Sequence, residues 1–316
     1  MIPLVSILIP CHNAAPWVAA TLESALATTW SRREIVLVDD GSQDTSLFIA
    51  RTFESRGVIV ATQPNSGASA ARNHALRLAR GDFIQFLDAD DLLAPDKIAL
   101  QLQALSSDPV QTIAAGPWGR FDTDPDSAVF TPEENWRDSE PVDWLCHNFA
   151  GRGMMPPAAW LTPRGLLDDV GPWDERLTLN DDGEYFCRVL LRSRGIKFCP
   201  AARTYYRSNL AGSLSRRRTP AAWQSAFLSQ QLCVEQLLAH ETSARTRQAG
   251  ADLYQRLAYS MFPNCPDLVQ ACEARALALG GSAERLGGGA LFRFLSKILG
   301  WKVARRVQLA AQSQRA

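Results

Sequence analysis

The stretch 86-FLDADDL-92 sets three carboxylates, Asp88, Asp90 and Asp91, within four positions at the end of the apolar segment 83-FIQFL-87. Acids this close repel one another, and holding them together costs energy unless something positive binds there. A divalent cation suits the place, because hard oxygen ligands favour Mg2+ or Mn2+. The other reading is a solvated turn whose first acid also caps the next helix, and the triplet alone does not choose between them. Two more polar clusters follow apolar runs, 10-PCHN-13 after 4-LVSILI-9 and 39-DDGS-42 after 35-IVLV-38. A further acid pair, Asp181 and Asp182 in 180-NDDGEYFCR-188, opens a helical pattern, where carboxylates serve either as caps or as bases.

The elements that must position these groups alternate between two periods. The runs 4–9, 35–38, 58–61 and 83–87 read as buried strands. Between them lie amphipathic stretches: one opened by Pro16 with Val18, Leu22, Ala25 and Leu26 at helical spacing, one over about 45–56, and one after 63-QPNSG-67 through Ala79. Pro95 opens another, carrying Ile98, Leu102 and Leu105. Such alternation predicts an α/β fold, a mostly parallel sheet with helices on both faces. Ligands of these sheets bind outside the carboxyl ends of the strands, so one crevice would collect the clusters after the first, second and fourth strands. Beyond residue 110 the pattern is mixed, with short strands expected at 111–116, 157–162, 196–199 and 203–207 and a helix from about 182 to 192. After the basic run 216-RRR-218 the chain reads as helical from 220 to 280, and 287-GGGA-290 as a flexible joint.

Composition narrows the classes. With 46% hydrophobic and 21% charged residues over 316 positions, the chain is an ordinary globular one. A net charge of zero gives no whole-chain argument for nucleic acid or a membrane as a partner. Seven scattered cysteines with no C-x-x-C pair argue for reduced thiols, not a disulfide framework or a zinc site. The start, MIPLVSILIP, has no basic residue and is too short for a signal peptide, and no run reaches the ~20 apolar residues that span a bilayer. A cytoplasmic protein is expected.

The motifs VSILIPCHN, EIVLVDDGSQDTS, NSGASAARNHAL, GDFIQFLDADDLLAP and GPWDERLTLNDDGEYFCR, in this order over roughly residues 4–210, resemble family 2 of the nucleotide-sugar glycosyltransferases. The resemblance implies a GT-A fold (Rossmann-like) over residues 1–215, with 216–316 as an all-helical extension. It implies transfer of a sugar from a nucleoside-diphosphate donor, a UDP sugar first among them, to a hydroxyl of a glycan or lipid-linked acceptor with inversion. Cell-surface polysaccharide or glycoconjugate synthesis is the setting it suggests. Asp88-Ala89-Asp90 matches the D-x-D motif, so Asp90 would bind a Mg2+ or Mn2+ ion bridging both phosphates, and Asp88 the ribose or a metal-bound water. Asp91 would cap the following turn. Pro10, His12 and Asn13 would wrap the nucleobase, Asp40 would accept a pyrimidine ring N–H, and Arg72 would reach the base or the diphosphate. An ion pair with a neighbouring acid is the other reading of Arg72. A turn acid bonding its own backbone is the other reading of the 39–40 pair, and fits Asp39 better. Gly67 would permit a tight loop approach.

Asp182 carries over as the general base, its ionised form favoured by ~0.3–1 kcal/mol at a helix N-terminus. The chain departs from the family at Asp181, where relatives carry Glu, and at Asn209, where many carry a histidine that contacts metal or phosphate. Arg207, Ser213 and Ser215 remain as phosphate contacts. Trp160 and Trp173 are aromatic enough to stack an acceptor sugar, although buried tryptophan is the commoner case. Two other classes fit the folding signals, a non-catalytic nucleotide-sugar-binding relative and an Asp-dependent phosphotransfer enzyme. The set Asp40, Asp88, Asp90 and Asp182 favours the glycosyltransferase.

Residues 291–316 hold six Lys or Arg and no acid. Leu291, Phe294 (or Leu295), Ile298 and Trp301 recur at helical spacing among Arg293, Lys297 and Lys302. This pattern predicts either peripheral contact of 291–311 with the inner face of a membrane or a terminal helix docked on 220–280. Gly300, which weakens a free helix by roughly 1 kcal/mol, tilts towards docking.

Overall fold

A computed structural model describes residues 2–108, 110–210, 218–282, 284, 287 and 289–313. The expected alternation is present: β1 Val5–Cys11, α1 Val18–Leu26, β2 Arg33–Asp40, α2 Ser46–Thr52, β3 Val58–Gln63, α3 Ala68–Leu78 and β4 Phe83–Phe86. There follow β5 Leu92–Leu93, α4 Lys97–Ala104, β6 Thr112–Ala115, β7 Trp118–Phe121, α5 Pro141–Phe149, β8 Trp160–Pro163, α6 Arg164–Val170, α7 Asp181–Arg192, β9 Gly195–Phe198 and β10 Thr204–Arg207. The C-terminal part is α8 Pro220–His240, α9 Ala244–Met261, α10 Pro266–Ala278, α11 Ala290–Leu299 and α12 Trp301–Ser313. No helix among the described residues is long and apolar enough to cross a membrane.

The main sheet has the order β3-β2-β1-β4-β8-β6-β9. Strands β1 to β4 are mutually parallel, β6 and β9 are parallel, and β8 runs antiparallel to both β4 and β6. The chain leaves β1 towards β2 and β3 on one side and returns to β4 on the other, so a crevice opens at the carboxyl ends of β1 and β4. Successive residues of β1 feed opposite faces: Leu8 joins the core cluster under α3, α5 and α7, and Ile7 and Ile9 join the one under α1, α2 and α4. Burial on both faces explains the unbroken apolar runs.

A second sheet, β5-β10-β7, was not legible as one, because two of its strands are two and four residues long. Trp160 and Trp173 are each 1% exposed and pack on Phe186 and Tyr185, so they form core and no acceptor platform. The triple-glycine joint and the basic run 216–218 include residues outside those described.

Strand β4 is braced by an unusual buried amine. Lys97, fully buried at the start of α4, donates to Gln85 Oε1 (2.6 Å) and Gln101 Oε1 (2.7 Å). The two amide groups in turn donate to the carbonyls of Ala158 and Ala159, just ahead of β8. Burial pushes the Lys97 amine down to about 7. A neutral amine has two N–H groups, which matches the two acceptors. Between pH ~7 and ~10 the unfolded chain binds a proton that the folded chain lacks, so stability rises with pH across that window. Thermal unfolding should show this rise in the native protein and not in a Lys97→Met variant. A stability difference that is constant over the window contradicts the assignment.

Candidate active site

The site is built from β-strand ends and two helix N-termini. Asp40, at the last position of β2, is 3% exposed and binds the loop after β3. Its Oδ1 accepts from Gln63 Nε2 and Ser66 N (2.8 Å each), and its Oδ2 from Gly67 N (2.8 Å). Three of about four lone-pair directions of the carboxylate are thus filled, leaving one on Oδ2. Gly67 holds φ at +94°, a conformation costly for a side chain, and a Cβ there would meet nothing within 4 Å. The glycine serves backbone direction and not a close approach: it turns the chain into α3. Asp39 is the turn acid, its Oδ2 accepting from Ser42 N (3.1 Å).

After β1, His12 and Asn13 stand exposed at the rim. His12 Nδ1 lies 2.9 Å from the Asp40 carbonyl, and Nε2 lies 3.0 Å from Asn13 Nδ2 and 3.2 Å from Asn65 Nδ2. These contacts fit the tautomer with the proton on Nδ1. Asn13, at φ 49°, ties the 42–43 turn by accepting from Gln43 N. Pro10, in β1, and this polar rim lie at the carboxyl ends of β1 and β2.

The centre is Arg72. Its Nη2 donates to Asp88 Oδ1 (2.7 Å) and its Nη1 to Asp181 Oδ2 (2.7 Å), while Cζ sits 4.6 Å from the centroid of a Trp173 ring. Burial pulls against the charge of this 6%-exposed guanidinium, and Asp88 and Asp181 outweigh it, so its pKa is raised. Ser69 Oγ also donates to Asp181 Oδ2 (3.1 Å). The ion-pair reading of Arg72 therefore holds in this structure.

Asp90 is half-buried, and its carboxylate accepts no hydrogen bond from another described residue. Burial and then Asp88 push it up to about 6. A cation would reverse that penalty, and one or two carboxylates completed by phosphate oxygens suit Mg2+ or Mn2+. Among the described residues no group of three His, Cys, Asp or Glu forms a protein-only metal cage. The donor set fits a cation completed by its substrate.

Asp91 is no turn cap. It is 1% exposed, accepts from Arg207 N at 2.8 Å, and fastens the acid turn to β10. Arg207 is likewise occupied: its guanidinium donates to the carbonyls of Asp90 and Asp122 between the rings of Trp17 (4.4 Å) and Phe121 (4.3 Å). It does not present itself as a phosphate contact. Ser213 and Ser215 lie outside the described residues, and Asn209 stands exposed with φ 64°.

At the start of α7, Asp182 is half-buried with Oδ1 accepting from Gly183 N (2.9 Å). The helix N-terminus was expected to hold this carboxyl down. Burial and the adjacent Asp181 outweigh it and raise Asp182 to about 6, so it is ionised at neutral pH yet basic enough to take a proton.

Sequence reasoning missed what holds this turn. Asn180, at φ 60°, enters α7 and is clamped from α8, with Ser229 Oγ donating to its carbonyl (2.7 Å) and its Nδ2 reaching the same hydroxyl (2.7 Å). Ser225 Oγ accepts from Thr178 N and Leu179 N (2.8 and 3.0 Å). The only signal in the sequence is a pair of serines four apart on a helix, which reads the same as two hydroxyls facing solvent.

Residues 6–156 match the family described as Glycosyl transferase family 2. A chondroitin synthase of Escherichia coli is 31% identical over 193 residues, 58% of this chain and 27% of that protein, so the chain spans about a quarter of its relative's length. Among solved structures, S. aureus TarS 1-349 in complex with UDP-GlcNAc superposes with a TM-score of 0.72 over 98% of this chain and 92% of that one, at 14% identity. A mannosyltransferase from Pyrobaculum calidifontis in complex with GDP-Man and Mn2+ gives 0.55 over 99% and 87%, at 16% identity. Strand order, crevice and motif series converge with these likenesses: the segment 6–156 is a family 2 glycosyltransferase domain, and the chain takes the GT-A fold.

Proposed function

We propose that the protein transfers a sugar, with inversion, from a nucleoside-diphosphate donor to a hydroxyl of a glycan or lipid-linked acceptor. The observation that carries this reading is the Arg72 bridge, which ties Asp88 of the acid loop to Asp181, the residue before the proposed base Asp182 at the start of α7. The relative is named for polysaccharide synthesis, and the two solved neighbours hold UDP-GlcNAc and GDP-Man with Mn2+. Of the two nucleotides, the polar rim of His12, Asn13 and the remaining Asp40 lone pair suits a pyrimidine, whose ring N–H needs one acceptor, so a UDP sugar is favoured. Residues 1–215 would form the transferase domain, and 216–316 a helical extension whose α8 steadies the base.

In this reading Asp90, with Asp88, would hold a Mg2+ or Mn2+ ion, which would supply positive charge for a departing diphosphate. Arg72 keeps Asp88 oriented and lends a fixed charge beside it. Asp182 takes the proton of the acceptor hydroxyl as its oxygen bonds to the anomeric carbon and the bond to the diphosphate breaks on the opposite side. One displacement gives inversion.

Asp90→Ala should lose the part of UDP affinity that depends on added Mn2+ while keeping the fold. Calorimetric titrations with and without the ion check this, and unchanged cation-dependent affinity refutes the site. Asp182→Asn should bind donor normally and lose ~10^2–10^4 in turnover. In the native protein kcat/KM for acceptor should fall about tenfold per pH unit below about 6, as Asp182 takes up its proton. A pH profile that is flat from about 7 to 5 excludes Asp182 as the base, and a product retaining the donor's anomeric configuration excludes the single displacement.

A further inference from the structure

The C-terminal helices α11 and α12 settle half of the tail question and reopen the other half. Their inner side docks, as Phe292 is 6% exposed against Tyr259 and Trp301 packs on Tyr259 and Phe262. Ala304 is buried beside them, and Lys302 pairs with Glu273 of α10 at 2.6 Å. The expected single stripe from 291 to 301 therefore breaks, with Trp301 turned inward.

The outer side is left apolar in water. Phe294 is 61% exposed, Ile298 62% and Leu299 55%, and Val303 and Val307 continue an exposed i, i+4 row on α12. Exposed large side chains occur singly on most proteins, but here five fall within fourteen residues on two consecutive helices. Arg293, Lys297 and Arg306 are exposed among them. No acid occurs from 287 to the end of the sequence, in a chain whose net charge is zero.

We propose that the outer face of α11 and α12 is a docking surface for an anionic lipid bilayer. Apolar side chains flanked by cations match the boundary between acyl chains and negative headgroups, with long basic side chains reaching up to the phosphates. A second copy of the chain is the poorer occupant, because a two-fold contact would lay the same cations against each other. The surface stands on burial and charge alone and does not depend on the identity of donor or acceptor.

Co-sedimentation of the full chain with vesicles tests this. Phosphatidylcholine vesicles containing about one-third phosphatidylglycerol should bind the protein at low salt, and pure phosphatidylcholine at least tenfold less. The double variant Phe294→Glu, Ile298→Glu should lower partition to the anionic vesicles at least tenfold. Both side chains point to solvent, so its thermal unfolding and its UDP binding should match the native protein, which separates loss of docking from misfolding. Three results overturn the proposal: no binding to anionic vesicles, equal binding to neutral ones, or equal partition of the double variant. A native dimer in solution that the double variant dissolves also overturns it, since a second copy would then cover the face.

Discussion

Everything at the candidate site hangs on one buried guanidinium. Arg72 lies between two carboxylates from distant parts of the chain, Asp88 sixteen residues on and Asp181 more than a hundred, each at 2.7 Å. Removing either acid would leave a buried charge partly unpaired, and removing the arginine would leave two acids facing one another beside Asp90 and Asp182. The ring of Trp173 under the guanidinium excludes water on one side, which strengthens both pairs. The distance between the Asp88 loop and the start of α7 is thereby set by a rigid planar fork and not by loop conformations.

The surrounding structure serves to aim that fork. Asp40 gathers the Gln63–Gly67 loop and so orients the N-terminus of α3, on which Arg72 sits. Asp91 and Arg207 pin the acid turn to the small sheet, and the Lys97 amide network holds β4 beneath it. Ser225 and Ser229 of α8 fix the turn before α7. Through that last contact the helical extension, which looks like an appendage in the sequence, helps to place Asp182. The net effect leaves two acids, Asp90 and Asp182, without full compensation and pushed up to about 6. Perturbed acids at a strand-end crevice mark a candidate functional site.

Most of the α/β frame was legible because buried parallel strands write long apolar runs and their helices write a 3.6-residue period. The small sheet was not, since strands as short as Leu92–Leu93 carry no period. The motifs single out Asp40, Asp88, Asp90 and Asp182 but do not say what each side chain bonds in the folded chain. They mistake Asp91 for a cap and Arg207 for a phosphate contact, because a long-range bond to a backbone N–H or carbonyl leaves no trace in local spacing. In the tail the sequence pattern predicts one amphipathic stripe. Gly300, with φ 81°, starts a new helix there and turns Trp301 to the inner side.

A double-mutant cycle on Arg72→Gln and Asp181→Asn, read in kcat/KM, bears most directly on the central claim. If one guanidinium sets the donor carboxylates against the base helix, the two changes remove the same constraint. The double variant should then lose little more than the worse single variant, a coupling on the order of 1–3 kcal/mol. Losses that simply add would mean that Arg72 and Asp181 act independently, and would contradict the account.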